Sequence, residues 1–208
     1  MTLVYLKALA VVVKESQTCS SSEDEASSDC SVSSRGSGSL AEEEQEVSLI
    51  TGNVIRVLRQ LTTFTNGASG RHHSSNLTST VTHLFSDQDD ALVEALLCLL
   101  DISVNCHQSI AAETSLADLI DPIQGFEGLV ASVSNDHTVL LDFLVSNETC
   151  FLLYFLRFLK FLNKRSVKLD SGVAEILQKM KTAVGKLTNK QLFPYDIGPV
   201  QRLLDKVS

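Results

Sequence analysis

The segment "TCFLLYFLRFLKFLN", residues 149–163, constrains the fold most, because it is apolar on almost every side. Its apolar run is shorter than the roughly 20 residues of a membrane-spanning helix, and Arg157 and Lys160 interrupt it. On a helix these two cations lie about 60° apart, within one narrow arc. A helix that is apolar around the rest of its circumference is typical of a protein core. We therefore predict a central core helix with Arg157 and Lys160 facing water.

A helix lying on a membrane surface is the alternative for this segment, since its side chains are mostly aromatic or leucine. Such helices usually carry a wide cationic face, whereas the polar arc here is narrow. The N-terminal stretch "MTLVYLKALAVVVKE" lacks the basic start and the small-residue cleavage site of a signal peptide. We therefore expect no transmembrane segment and a location in the cytoplasm, the nucleus or both.

The negative charge of the chain is concentrated in one segment. The net charge is −8 at pH 7. Between Glu15 and Glu46 the sequence holds nine acidic residues and one basic residue, and the remainder holds sixteen of each kind. Because the remainder has no basic excess, it gives no sign of a phosphate-binding surface. We therefore expect no direct binding of nucleic acid.

Residues 16–46 combine serine, glycine and acidic residues with very few large apolar side chains. A segment of this composition cannot bury enough surface to offset the entropy of ordering, so we predict that it is disordered. Ser20, Ser21 and Ser22 each precede an acidic residue by three positions, an arrangement that acidophilic kinases favour. These serines are candidate phosphorylation sites, where phosphates would deepen the negative charge. A solvated tether is the alternative role of the segment.

The rest of the chain carries apolar side chains at three- and four-residue steps, which predicts successive amphipathic helices. One such stripe consists of Val47, Ile50, Val54, Leu58 and Leu61. We predict an all-α fold, either an irregular helical bundle or an armadillo-like helical stack. Its predicted parts are a short apolar helix over 1–15, the disordered acidic, serine-rich segment over 16–46 and an α-helical domain over 47–208.

The five cysteines form no CxxC pair, which favours free thiols in a reducing compartment over a disulfide framework. We find no spacing of Cys, His or acidic residues that predicts a metal or cofactor site. A hydrolase with Cys150 as nucleophile, His137 or His107 as base and Glu148 in support is the catalytic alternative. It requires an exposed, electropositive thiol, whereas Cys150 begins the predicted core helix. We therefore predict that the chain is not an enzyme.

Three stretches carry a family resemblance: "FSDQDDALVEALL" (85–97), "HTVLLDFLVSNETCFLLYFLRFLKFL" (137–162) and "LTNKQLFPYDIGPVQRLLDKV" (187–207). They resemble the Lines family, and the last two resemble its C-terminal region. We therefore expect residues 47–208 to correspond to that region. Lines proteins are several times longer than this chain. Their large N-terminal helical region is expected to be missing here, as in a fragment, a short isoform or a partial gene model.

The resemblance implies a role in segment-polarity patterning, through Wnt/Wingless-dependent signalling and transcriptional control, without catalytic activity or cofactor. It predicts a non-enzymatic module that binds other proteins, although the sequence names no particular partner. Aromatic side chains form binding hot spots where they are exposed. The candidate partner surface consists of Phe155, Phe158, Phe161 and Tyr195. A membrane-surface adaptor that acts through residues 149–163 is the alternative function.

Overall fold

The computed structural model describes residues 1–18, 39–69, 76–106, 116–146, 148–165 and 169–207. These ranges are largely helical and contain no β-strand, so the predicted all-α class is confirmed for this part of the chain. The helices are α1 (Thr2–Thr18), α2 (Ser39–Ser69), α3 (Leu77–Leu84), α4 (Asp89–Asn105), α5 (Pro122–Ser132), α6 (His137–Val145), α7 (Phe151–Arg165), α8 (Ser171–Asn189) and α9 (Gly198–Val207).

Helix α7 lies at the centre of the fold and packs against α4, α6 and α9. Its inward side chains Phe151, Phe155 and Phe158 are fully buried. Phe126 of α5 stacks on two of them, with its ring centroid 4.6 Å from that of Phe158 and 6.1 Å from that of Phe155. Lys160 is exposed to solvent. The prediction of a core helix is therefore confirmed, and Lys160 faces water as predicted, whereas Arg157 is partly buried and pairs with Asp101 of α4.

Helix α4 is the second buried helix, and it packs against α1, α3, α5 and α7. Contact with neighbours on several sides explains why its sequence is apolar around most of its circumference. Asp89 and Asp90 occupy its first turn, where negative side chains interact favourably with the helix dipole. Its fully or almost fully buried side chains include Leu92, Leu96, Leu99, Leu100 and Ile102.

Two glycines allow α5 to approach its neighbours closely. A methyl group added to Gly128 would lie 2.3 Å from the side chain of Thr82 on α3. A methyl group added to Gly125 would lie 3.0 Å from the side chain of Leu96 on α4. Since carbon atoms in van der Waals contact are about 3.5–4.0 Å apart, Gly128 has no room for a side chain at this spacing, whereas one at Gly125 would displace the end of the Leu96 side chain. The close approach brings Phe126 of α5 against the rings of α7.

The last helices complete the packing around α7. Helix α9 packs against both α7 and α8, and α8 also packs against α6. The hydroxyl of Tyr195, in the segment before α9, donates a hydrogen bond to the carbonyl oxygen of Leu144 on α6. At the other end of the bundle, α1 packs against α2 and α4, so the N-terminal helix belongs to the same packed body. The armadillo-like alternative stays a prediction.

The predicted disordered segment is wrong at both of its ends. Helix α1 continues to Thr18 and α2 begins at Ser39, so residues 16–18 and 39–46 are helical. The residues from Leu40 to Glu46 are leucine, alanine, glutamate and glutamine, which all have high helix propensity. They lead directly into the apolar stripe of α2, so the helix extends backwards from a packed part. Residues 19–38 lie outside the described residues.

Candidate functional site: a basic cleft

An open cleft of about 500 Å³ lies between α1, α4 and α7. Its apolar lining consists of Leu100, Val104 and Phe161. Its polar lining consists of Lys14, Asp101, Asn105, Arg157, Lys160, Lys164 and Arg165. Five of these described residues are lysine or arginine and one is acidic, so we call the site the basic cleft.

The helical repeat of α7 brings basic side chains to the cleft. Arg157, Lys160 and Lys164 follow one another at three- and four-residue steps, which places them on one face of the helix. Lys164 and Arg165 also occupy the last turn of α7, where the helix dipole favours positive charge. Phe161 lies on the same side of the helix and is 8% exposed. The cleft therefore has an apolar ring beside its cations.

An ion pair joins α4 to α7 at the cleft. The guanidinium of Arg157 donates a hydrogen bond to the Oδ2 atom of Asp101. The two side chains are 31% and 18% exposed, so the protein shields the pair in part from water. Asn105 donates from its amide nitrogen to the carbonyl oxygen of Asp101 at 2.8 Å. The pair neutralises one of the five basic groups and fixes its position.

The four remaining basic side chains of the cleft differ in their contacts with other residues. The guanidinium carbon of Arg165 lies 5.3 Å from the centroid of the Phe161 ring, within the range of a cation–π interaction. Lys14, Lys160 and Lys164 form no ion pair or hydrogen bond with any other residue that the structure describes. These three ammonium groups therefore give the cleft positive charge that the described protein groups do not neutralise.

The four aromatic residues predicted as a partner surface do not lie together at the surface. Phe155 and Phe158 are fully buried, because they fill the core side of α7 and stack with Phe126. They offer nothing to a partner in the folded protein. Phe161 lines the basic cleft. Tyr195 is half-buried, and burial raises the pKa of its hydroxyl group.

The proposed cysteine nucleophile has unsuitable acid–base properties. Burial raises the pKa of the Cys150 thiol, and the nearby Glu94 carboxylate adds to this effect. A nucleophilic cysteine needs the opposite shift, because the thiolate is the reactive form. His137, one proposed base, is the first residue of α6, with Nδ1 3.9 Å from the carboxylate of Asp136. His107, the other proposed base, lies outside the described residues.

The remaining predicted sites receive no support from the described residues. Ser20, Ser21 and Ser22 lie outside them, so phosphorylation there stays a prediction. Within the described ranges, no three His, Cys, Asp or Glu side chains gather closely enough to hold a metal ion. No helix in those ranges is long and apolar enough to cross a membrane. Among the described residues, the basic cleft is the site that we take as the candidate for binding.

The basic cleft was not predicted from the sequence, because only the net charge of the chain outside residues 15–46 was considered. That net charge is zero, which hides a local cluster of basic residues. One signal was available: the arc that holds Arg157 and Lys160 continues to Lys164 on the next turn of the helix. The contributions of Lys14 and Asp101 come from other helices, far away in the sequence. Only the packing of α1 and α4 against each other, and of α4 against α7, brings them to the site.

Two family models match the chain. Residues 1–166 match a model described as Lines N-terminus, and residues 173–208 match one described as Lines C-terminus. The stretch 137–162 therefore falls within the N-terminal match. The prediction that all of 47–208 corresponds to the C-terminal region is wrong, because the N-terminal match extends to residue 166 and the C-terminal match begins at residue 173, near the start of α8.

Similar proteins agree with these matches. The chain is 35% identical to Protein lines of Drosophila melanogaster over an alignment of 219 positions, which covers 99% of the chain and 24% of the fly protein. It is 35% identical to Protein Lines homolog 1 of Homo sapiens over 96 residues, which cover 40% of the chain and 13% of the human protein. The Mus musculus protein of the same name gives the same identity and coverage. The chain thus spans about a quarter of the fly protein's length, and no solved structure matches it. On these matches, the chain belongs to the Lines family.

Proposed function

We propose that this chain is a non-enzymatic module that binds other proteins through the basic cleft. Following the family resemblance, the proposed setting is Wnt/segment-polarity signalling and transcriptional control, in the cytoplasm, the nucleus or both. One observation carries the proposal. A single concave site combines an apolar lining with three lysines that pair with no other described residue.

The chemistry of the cleft favours binding over catalysis. Its described lining contains lysine, arginine, aspartate and asparagine as polar residues, and the carboxylate of Asp101 is engaged by Arg157. A carboxylate held in an ion pair is poorly suited to act as a general base. Elsewhere in the fold, burial raises the pKa of the Cys98 and Cys106 thiols to about 11, which keeps them in the unreactive protonated form.

A membrane-surface adaptor acting through residues 149–163 has less support. The rings that would have to enter lipid, Phe151, Phe155 and Phe158, are fully buried. Moving them into a bilayer would require the core to open, with the loss of the contacts to Phe126. Leu153 is the large apolar side chain of α7 that is most exposed, at 44%. Surface helices bind lipid through a continuous apolar face, whereas most of the aromatic side chains of α7 are buried in the core.

The test of the protein-binding function uses three versions of the full chain. They are the unaltered protein, the cleft variant Lys160→Glu/Lys164→Glu, and the control variant Lys186→Glu/Lys190→Glu, which makes the same charge change on exposed residues outside the cleft. Each is used for quantitative affinity purification from cells. We expect the unaltered protein and the control to recover a shared set of proteins that the cleft variant loses. Circular dichroism and thermal unfolding should be alike for all three.

Equal recovery by all three versions would show that the cleft does not bind partners. The same proteins are then mixed with vesicles of phosphatidylcholine and phosphatidylserine and separated by flotation. We expect the unaltered protein to stay in the aqueous fraction. If it floats with the vesicles and the protein partners are absent, the membrane-surface adaptor becomes the better explanation.

A further inference from the structure

We infer that the basic cleft binds an extended acidic peptide that carries one large apolar side chain between acidic residues. This inference rests on the proposed protein-binding function and specifies the chemistry of the partner. It depends on three properties of the cleft: the excess of positive charge, the apolar lining and the spacing of the cations along α7.

The first property is the charge. Lys14 faces the cleft from α1, and Lys160 and Lys164 face it from α7, so positive charge surrounds the opening on two sides. Like charges that share a cleft raise its electrostatic potential and attract oppositely charged ligands. The carboxylate of Asp101 does not offset these lysines, because it already pairs with Arg157. The cleft therefore favours a ligand with several negative groups.

The second property is the apolar lining. Val104 is 40% exposed within the cleft, whereas Leu100 is almost fully buried beneath the surface. The ring of Phe161 lies beside them, with Arg165 over its face. Covering Val104 would remove apolar surface from water, which favours a ligand with an apolar side chain of its own. Inorganic anions and purely acidic chains leave this part of the lining uncovered.

The third property is the spacing of the cations. Lys160 and Lys164 are four residues apart on α7, which corresponds to about 6 Å along the helix axis. An extended peptide advances about 3.3 Å per residue, so side chains two positions apart cover this distance. In an extended chain, alternate side chains point to opposite sides. The order acid–apolar–acid therefore allows one side chain to enter the lining while its neighbours reach the lysines.

A peptide fits these observations better than a nucleic acid or a lipid surface does. Binding of single-stranded nucleic acid relies on exposed aromatic faces for base stacking, whereas Phe161 is 8% exposed and lies beneath Arg165. A bilayer surface is flat on this scale, so it could not reach the apolar lining of a concave site.

The experiment measures the binding of fluorescein-labelled peptides to the full chain by fluorescence anisotropy. The main probe is a short peptide with a single leucine flanked by aspartates and glutamates. In one control peptide alanine replaces the leucine, and in another lysines replace the acidic residues. A third peptide has the sequence of residues 19–30 of this chain, which is acidic but contains no large apolar side chain. The proteins are again the unaltered chain, Lys160→Glu/Lys164→Glu and Lys186→Glu/Lys190→Glu.

We expect the main probe to bind the unaltered and control proteins alike, and to bind the cleft variant at least about tenfold more weakly at low ionic strength. Added salt should weaken binding, because the lysines are exposed. The alanine and 19–30 peptides should bind more weakly than the main probe, and the lysine peptide should not bind. Val104→Asp, which places a carboxylate in the lining, should also reduce binding.

Three results would overturn the inference. The first is that the main probe does not bind the unaltered chain. The second is that it binds the cleft variant as tightly as the unaltered chain. The third is that the 19–30 peptide, single-stranded DNA or anionic vesicles bind the unaltered chain more tightly than the main probe does. The proposed protein-binding function is judged separately by the affinity purification. If the cleft variant loses its cellular partners while the main probe fails to bind, the function stands and the assigned ligand chemistry is wrong. If neither effect appears, both proposals fail.

Discussion

The inner and outer faces of α7 differ in what they contribute to the protein. The inner face places Phe151, Phe155 and Phe158 in the core, where each is fully buried. The outer face places Lys160 and Lys164 in the basic cleft. Buried aromatic surface contributes strongly to folding, whereas exposed charges contribute little. We therefore expect substitutions on the inner face to change stability and substitutions on the outer face to change binding.

The largest effect is expected from Phe158→Ala on the inner face. Removing a fully buried ring loses its transfer free energy and leaves a cavity between α7 and Phe126. We expect the free energy of unfolding to fall by about 3–5 kcal/mol. Urea unfolding followed by circular dichroism measures it. Leu153→Ala, at a position that is 44% exposed on the same helix, is the control and should cost less than about 1 kcal/mol. Similar losses in the two variants would contradict the assignment of the faces.

The second prediction concerns how the stability of the fold depends on pH through the buried Cys106 thiol. Burial raises the pKa of Cys106 from 9.0 to about 11. The unfolded chain therefore loses this proton at lower pH than the folded protein does. The resulting stabilisation is fully present below pH 9 and is lost as the pH rises towards 11.

We expect Cys106→Ala to remove this part of the pH dependence. The unaltered chain should lose more stability than the variant between pH 9 and 11, by an amount on the order of 2 kcal/mol. Urea unfolding at several pH values measures both curves, and the value of interest is the difference in slope. Parallel curves would show that the thiol titrates alike in the folded and unfolded states.

The inner face was predictable from the sequence because its signal is local. The run from Phe151 to Leu162 is apolar on nearly all sides, and burial against other helices is the direct physical consequence. The all-α class follows from the same periodicity in α2 and α8. The prediction was wrong at residues 39–46, where composition indicated disorder but a long helix propagates through good helix formers.

The outer face was predictable only in part, because a cleft depends on contacts between distant segments. The arc of Arg157, Lys160 and Lys164 can be seen in the sequence of α7. The sequence does not show that α1 brings Lys14 to the same place or that Asp101 of α4 pairs with Arg157. Net charge also hides the cluster, since acidic residues elsewhere balance it. Tertiary packing decides which charges become neighbours.

The ion pair between α4 and α7 gives a third, smaller effect. A double-mutant cycle with Asp101→Ala and Arg157→Ala isolates the coupling between the two side chains. Because the Arg157 side chain is 31% exposed, solvent screening reduces the interaction. We expect a coupling free energy of about 1 kcal/mol, smaller at high salt. Urea unfolding of the four proteins gives the value. A coupling near zero would mean that the pair does not help to hold α4 against α7.

The smallest effect on stability is expected for Lys160→Ala/Lys164→Ala. These side chains pair with no other described residue and lie near each other, so their removal also relieves repulsion between like charges. We expect the free energy of unfolding to change by no more than about 0.5 kcal/mol, while binding of the acidic, leucine-containing peptide weakens. Urea unfolding and fluorescence anisotropy on the same samples separate the two effects. A large loss of stability would instead mean that the lysines hold the fold together, and the separation between a structural and a binding face of α7 would be lost.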